Sequence, residues 1–379
     1  MRVSRLAIII LFALLMTMPM AQAQDELESV DFALTFVPNI QFTPVYVAIE
    51  KGYFADEGIE VELDYIDENV IVDLIAADEL GFGIVSGEQV IMARSGGRPV
   101  VYFYEWFQQY PIGVVIPDTT EAETFSDLAG LTVGVPGRFG ATYSGLNALL
   151  AANDMTEQDI LLETIGFVAP DIVCAGRVDA SVIYVNNEPL QIQQRADAGA
   201  CGDITSVRVL PVTDEIDLVS NGLLTNETLI AENPELVEAM ARAFHRGLRD
   251  VIMNPAEAYL LSAQYIETLP LSDELRSSLE NGAEAMAMFT ETDPDPELLA
   301  ESRDTLINVL SESFDAETLI QLDVLLTTIP LWEAETLGFT EPESWVNTLN
   351  LLIEMGNLQD EVVLEDAYTN DFVPTADSE

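Results

Sequence analysis

The chain has 379 residues, 49% of them hydrophobic, and carries 66 acidic against 14 basic residues for a formal net charge of −52. That length supports two lobes of ordinary domain size, and acid spread along so apolar a chain argues for a folded protein with an acidic surface rather than a disordered one. So negative a field repels nucleic acid and anionic headgroups, leaving neutral or cationic partners.

In chain order, Arg2 and Arg5 precede an apolar run from Leu6 to Met18, and Ala21 and Ala23 supply small residues before a cut at Gln24. This pattern predicts a signal peptide over residues 1–23. The run is shorter than the roughly 20 residues a bilayer span needs, and no cysteine stands at the cut. An exported, periplasmic or extracytoplasmic soluble protein without a lipid anchor is therefore expected.

Asp31 to Leu63 reads as strand, polar loop, helix and strand. Phe32, Leu34 and Phe36 alternate as in a half-buried strand that Pro38 stops. Thr43 is the expected N-cap with Pro44 at the first helical position, and Gly52 ends the helix. Gly81 to Val85 is the next strand, after which Ser86 opens a helix with Gln89 three residues on, the spacing of a capping box. Val100 to Trp106 is a further strand. The polar stretch Pro117 to Thr124 suits a crossover, so a second lobe is expected over residues 117–221, with 24–116 and 222–379 forming the first. Strands around Leu131 to Val135, Ile165 and Ala180 to Tyr184 build the second lobe, and Val219 to Asn226 leads back. From Pro234 onward the pattern is helical, and the acidic tail after Leu364 is expected to be partly disordered. Closure of the two lobes is expected to turn on the strands near Pro117 and Asn221.

The run FVPNIQFTPVYVAIEKGYFADEGIEVEL is similar to the opening of the NMT1/THI5-like substrate-binding proteins of ABC importers, the thiamine-pyrimidine, riboflavin and sulfonate group. The blocks FGIVSGEQVIMAR, FSDLAGLTVGVPG, AGRVDASVIYVNNEP, ENPELVEAMARAFHRGL and YTNDFVP extend the resemblance over most of the chain. It implies an α/β, two-lobed periplasmic-binding-protein fold of type II with the ligand cleft between the lobes. A membrane ABC permease is the implied partner, and the protein is expected to act as a monomer without a cofactor.

In such a fold, loops at strand ends converge on the cleft. The first offers Asn39, Gln41 and Phe42, the second Ser86, Gly87 and Glu88, and the third Tyr104, Trp106 and Gln108. A glycine-flanked loop offers Arg138, Phe139 and Tyr143, and the YVNNEP block offers Tyr184, Asn186, Asn187 and Glu188. The plainer readings are that Ser86 only caps its helix, that Arg138 joins a surface ion pair and that Glu188 is a first-turn acid on the helix dipole. Amides pair with ring nitrogens and carbonyls, and aromatic faces stack on planar rings. With Arg138 the only cation of the set, a neutral heteroaromatic solute, flavin or thiamine pyrimidine, is expected over a sulfonate or nitrate. Asn187 and Glu188 are expected to hold its edge, with Trp106 or Tyr104 stacked on its face.

Fungal relatives of the resembled family make the thiamine pyrimidine with a histidine and a cysteine-rich iron site. Here there are two cysteines and His245 is the only histidine, which speaks against an enzyme and against a zinc site. Cys174 and Cys201 leave two readings, a disulfide formed after export or two buried thiols.

Overall fold

The alternating strand and helix patterns become two five-stranded sheets in the computed structural model of the chain, which describes residues 27–35 and 37–375. The expected signal peptide and Phe36 lie outside these residues. The first sheet holds β1 (Glu28–Thr35), β2 (Ile59–Ile66), β3 (Phe82–Ser86), β4 (Val100–Glu105) and β10 (Asn221–Asn226), in the order β2-β1-β3-β10-β4. The second holds β5 (Ile112–Pro117), β6 (Thr132–Val135), β7 (Leu161–Thr164), β8 (Ala180–Tyr184) and β9 (Val207–Pro211), in the order β7-β6-β8-β5-β9. Each sheet has one antiparallel member, β10 between β3 and β4 and β5 between β8 and β9. These two strands are the ones that follow the crossings between lobes.

Two expectations are corrected here. Ile112–Pro117 pairs with β8 and β9, so the chain enters the second lobe before residue 112 rather than at 117. The polar stretch after Pro117 looked like the crossing because the real one, WFQQYP, is rich in buried rings. β1 is not half-buried: Phe32, Ala33 and Leu34 are all fully covered, because β2 and β3 flank it and helices cover both faces.

Buried clusters lie on both faces of each sheet. The helices Asp273–Thr290, Pro296–Ser311 and Ala316–Trp332 thicken the first lobe. The helix Pro342–Glu354 braces the crossing: Trp345 and Leu352 sit in the first lobe's core, Leu351 in the second's, and Thr348 Oγ1 accepts from Val219 N at 3.0 Å. Its neighbouring tail is packed, since Tyr102 N donates to Ala367 O and Tyr368 stacks on Trp345 with ring centroids 4.6 Å apart. The expected disorder after Leu364 is thus absent through residue 375: the Tyr102–Tyr368 bridge, the Phe372 ring on Phe103 and the Asn370 bonds to Thr340 also hold this segment. Among the described residues no helix is long and apolar enough to cross a membrane.

Cys174 and Cys201 form a disulfide, closing a separation of 27 residues in the second lobe beside the buried Val173 and Ile204. A loop of that size is worth about 3 to 4 kcal/mol in the chain-entropy account. Cys201→Ser, or reduction with dithiothreitol, is therefore expected to lower Tm by several degrees in calorimetry, and an unchanged Tm would contradict a stabilising bridge.

Candidate ligand cleft

The loops past the carboxyl ends of β1 and β8, one in each sheet, meet between the lobes, at the strand ends where open α/β sheets bind ligands. Past β1, Asn39 accepts from Gln41 N at 2.9 Å and shapes a short turn, which leaves the Gln41 amide reaching across the cleft. Its Oε1 accepts from Asn186 Nδ2 of the second lobe at 3.3 Å. Asn186 also donates to Thr328 Oγ1 at 2.6 Å, and its backbone carbonyl accepts from Thr327 Oγ1 at 3.2 Å. The helix start itself falls one residue from expectation, with Phe42 at the cap position and the Thr43 hydroxyl bonded to Ile40 O and Ser262.

Ser86 does not close a capping box. Its hydroxyl lies 2.5 Å from Glu68 Oε1 and 2.7 Å from Glu88 Oε1, and its backbone N–H is also taken by Glu68. Glu68 opens the helix Glu68–Ala76, and its other oxygen would lie 3.4 Å from a Cβ placed on Gly140, the first residue of the second lobe's helix Gly140–Ala152. The two lobes thus meet a second time at a carboxyl and a helix N-terminus. Burial pushes the Glu68 carboxyl up, and burial together with the Glu68 charge pushes Glu88 up to about 8. At the end of β4, burial raises Glu105 to about 8, although it accepts from Ser220 N at 3.2 Å.

Rings line the first-lobe side. Trp106 lies between Phe42, 5.8 Å away at 29°, and Trp332, 5.7 Å away at 28°. Both of its faces are occupied, so it offers its Nε1–H edge rather than a stacking surface. Tyr104 is engaged away from the cleft: it packs edge-on against Phe244, and its hydroxyl meets His245 Nδ1 at 3.1 Å. Neither ring is therefore the stacking platform expected from the sequence. In the second lobe, Tyr110 donates to Ala141 O at 2.8 Å, and burial pushes the Tyr184 hydroxyl up.

Several expected contacts turn out to be committed elsewhere. Gln108 Nε2 donates to Glu105 O, Arg138 pairs with Glu157 on the surface, and Tyr143 reaches the same carboxyl. Phe139 is 45% exposed at the cap of its helix. Asn187 Oδ1 accepts from Gln191 Nε2 at 2.7 Å, and Glu188 Oε2 turns back to accept from Tyr184 N at 3.0 Å. Burial pushes Glu188 up to about 7. Asn187 and Glu188 thus bond within their own lobe, whereas the neighbouring Asn186 reaches Gln41 and Thr328 of the first lobe. Gly87 is packed against Val219 and has no room for a side chain.

Six buried polar atoms along this seam have no hydrogen-bond partner: Glu88 Oε2, Trp106 Nε1, Asn186 Oδ1, Ser220 Oγ, Asn221 Oδ1 and Trp332 Nε1. Natural proteins rarely leave such atoms unsatisfied, and a group at a binding site is the common exception. Glu68, Ser220, Asn221, Thr328 and Trp332 were not foreseen. Only Asn221 carried a signal, as the first residue of the strand returning to the first lobe.

Two lobes, a seam of unsatisfied polar atoms at the strand ends and a braced double crossing define a solute-binding protein of the two-lobed type. Residues 39–258 match the family model described as NMT1/THI5 like, and the chain belongs to that family. Among its relatives, the riboflavin-binding protein RibY of Chloroflexus aurantiacus is 34% identical over 364 residues, covering 94% of this chain and 89% of its own. The formylaminopyrimidine-binding protein of Halalkalibacterium halodurans is 30% identical, covering 67% of this chain and 76% of its own. In fold, the chain is similar to a putative periplasmic sulfonate-binding protein, SsuA, from Methylobacillus flagellatus, with a TM-score of 0.58, 14% identity and coverage of 92% and 93% of the two chains.

Proposed function

We propose that the protein is the extracytoplasmic receptor of an ABC importer and that it captures riboflavin between its lobes. The observation that carries this reading is the chemistry of the seam: its ionisable side chains are the carboxyls of Glu68, Glu88, Glu105 and Glu188, with no cation among them, while Arg138 is bound to Glu157. Carboxyls and side-chain carbonyls accept from hydroxyl and ring N–H groups, and they repel sulfonate or nitrate. A ribityl chain and an isoalloxazine edge supply such donors and a planar face. The length over which the chain resembles a riboflavin-binding relative supports the same choice. The pyrimidine of thiamine has fewer donors to set against the unsatisfied acceptors Glu88 Oε2, Asn186 Oδ1 and Asn221 Oδ1, and fewer acceptors for the indole N–H groups of Trp106 and Trp332.

We read the protein as a binder rather than a synthase because its two cysteines are joined to each other and His245 lies on the far side of β4. Closure turns on the crossings at 106–111 and 212–220, and the closed receptor is handed to the permease as a monomer. Protein purified from an export-competent host grown with riboflavin is expected to be yellow and to release riboflavin on denaturation, as read by mass spectrometry. A colourless protein releasing a sulfonate would overturn the ligand.

A further inference from the structure

Ser86 has one hydroxyl proton and two carboxyl neighbours. Its Oγ lies 2.5 Å from Glu68 Oε1 and 2.7 Å from Glu88 Oε1, and it can donate to only one of them. The other contact is a hydrogen bond only if that carboxyl itself carries a proton and donates to Oγ. Glu68 Oε1 also takes the Ser86 N–H, so the negative charge is better held there and the proton belongs to Glu88. Two carboxyls bridged by one atom cannot both ionise cheaply when both are buried.

The groups that face Glu88 reinforce this. Glu68 comes from the helix Glu68–Ala76, Tyr102 from β4, Tyr110 from the crossing and Tyr184 from β8, with Glu188 acting on Tyr184 from behind. None of these is a cation. With Glu88 Oε1 engaged by Ser86, its Oε2 remains as a buried acceptor without a partner. The N-terminus of the helix Gly140–Ala152 lies beside Glu68 Oε2 instead.

We propose that Glu68 and Glu88 share one proton through Ser86, and that this pair makes Glu88 the residue that selects an uncharged, N–H- or O–H-bearing solute over its phosphorylated counterpart. The proposal rests on the riboflavin reading for its choice of probe, and on the Ser86 geometry for its mechanism. A neutral carboxyl accepts a ligand donor through Oε2, and the adjacent Glu68 charge repels a phosphate. Above the pH at which Glu88 ionises, the pair carries two charges, pushes its own groups apart and loosens the site.

Two measurements test this. Infrared spectra of the protein at pH 7 without added solute are expected to contain the carbonyl stretch of a protonated carboxyl group that disappears in Glu88→Gln. Calorimetric titration is expected to show riboflavin binding at least about tenfold tighter than riboflavin 5′-phosphate at pH 6, with riboflavin affinity in the wild type falling about tenfold by pH 9.5. Glu88→Gln, which keeps both a donor for Ser86 and an acceptor for the solute, should retain affinity at pH 6 and lose the fall at high pH. Glu88→Leu, which fills the space but accepts nothing, should lose about tenfold at pH 6. An infrared spectrum that Glu88→Gln leaves unchanged, equal binding of riboflavin and its phosphate, or the same pH profile in wild type and Glu88→Gln would each overturn the proposal. If neither riboflavin nor the thiamine pyrimidine binds but the infrared band is lost in Glu88→Gln, the ligand reading has failed and the shared proton stands.

Discussion

Trp106→Ala is expected to lower stability by about 3 to 5 kcal/mol, the range for removing a large buried ring from a packed site. The indole contacts Phe42 and Trp332 on its two faces and meets the edges of Phe107 and Phe244. Its loss would leave a cavity at the junction of both crossings, where Trp106 N and Phe107 N each donate to Asn221 O at 3.0 Å. Packing and binding separate in Trp106→Phe, which keeps most of the ring and removes the unpartnered Nε1–H. That variant should unfold close to the wild-type denaturant midpoint while binding riboflavin about tenfold more weakly. Equal affinity in the two proteins would show that the indole N–H does not reach the solute.

The second large effect is on pH. Glu88 and Glu105 are raised to about 8 and Glu188 to about 7, each mainly by burial, from an ordinary value of 4.5. Below about pH 4.5 these groups are protonated in both folded and unfolded chains. Between about 4.5 and 8 the unfolded chain releases their protons while the folded protein keeps them, so unfolding is increasingly favoured as pH rises. Each group contributes about 1.4 kcal/mol for every pH unit by which its folded value exceeds its unfolded one. Stability should therefore fall by several kcal/mol in order of magnitude from about pH 5 to about pH 8.5. Denaturant titrations in about 1 M salt, where surface repulsion among the 66 acidic residues is screened, isolate the buried carboxyls. Glu105→Gln should flatten the profile in part. A stability that stays level or climbs over this interval would contradict the carboxyl assignments.

Much of the fold could be read from the sequence because its signals are local. Ala180–Tyr184 was bounded to the residue, and Pro234 opens its helix where a proline at the first position predicts. What could not be read was non-local. β5 changed lobes because its hydrogen bonds go to β8 and β9, more than sixty residues away in the chain, and no local pattern carries that information. The cleft was legible by loop and not by atom. Gln41 and Asn186 meet between the lobes and Glu88 and Trp106 carry unpartnered polar atoms, whereas Tyr104 bonds to His245 and Glu188 folds back on its own strand. The difference lies in side-chain direction, which depends on which strand neighbour claims each polar group first. Ser86 shows the point: the capping motif was present, but Glu68 from another helix out-competed the local bond.

The central claim, that a neutral heteroaromatic solute is captured between acidic lobes, is tested most directly by calorimetric titration of one protein preparation, stripped by unfolding and refolding, with riboflavin, the thiamine pyrimidine, taurine and nitrate. Riboflavin is expected to bind tightly with a negative heat-capacity change from buried apolar surface, the pyrimidine more weakly, and the two anions without measurable heat. Tight binding of taurine or nitrate, with none from either heterocycle, would contradict it.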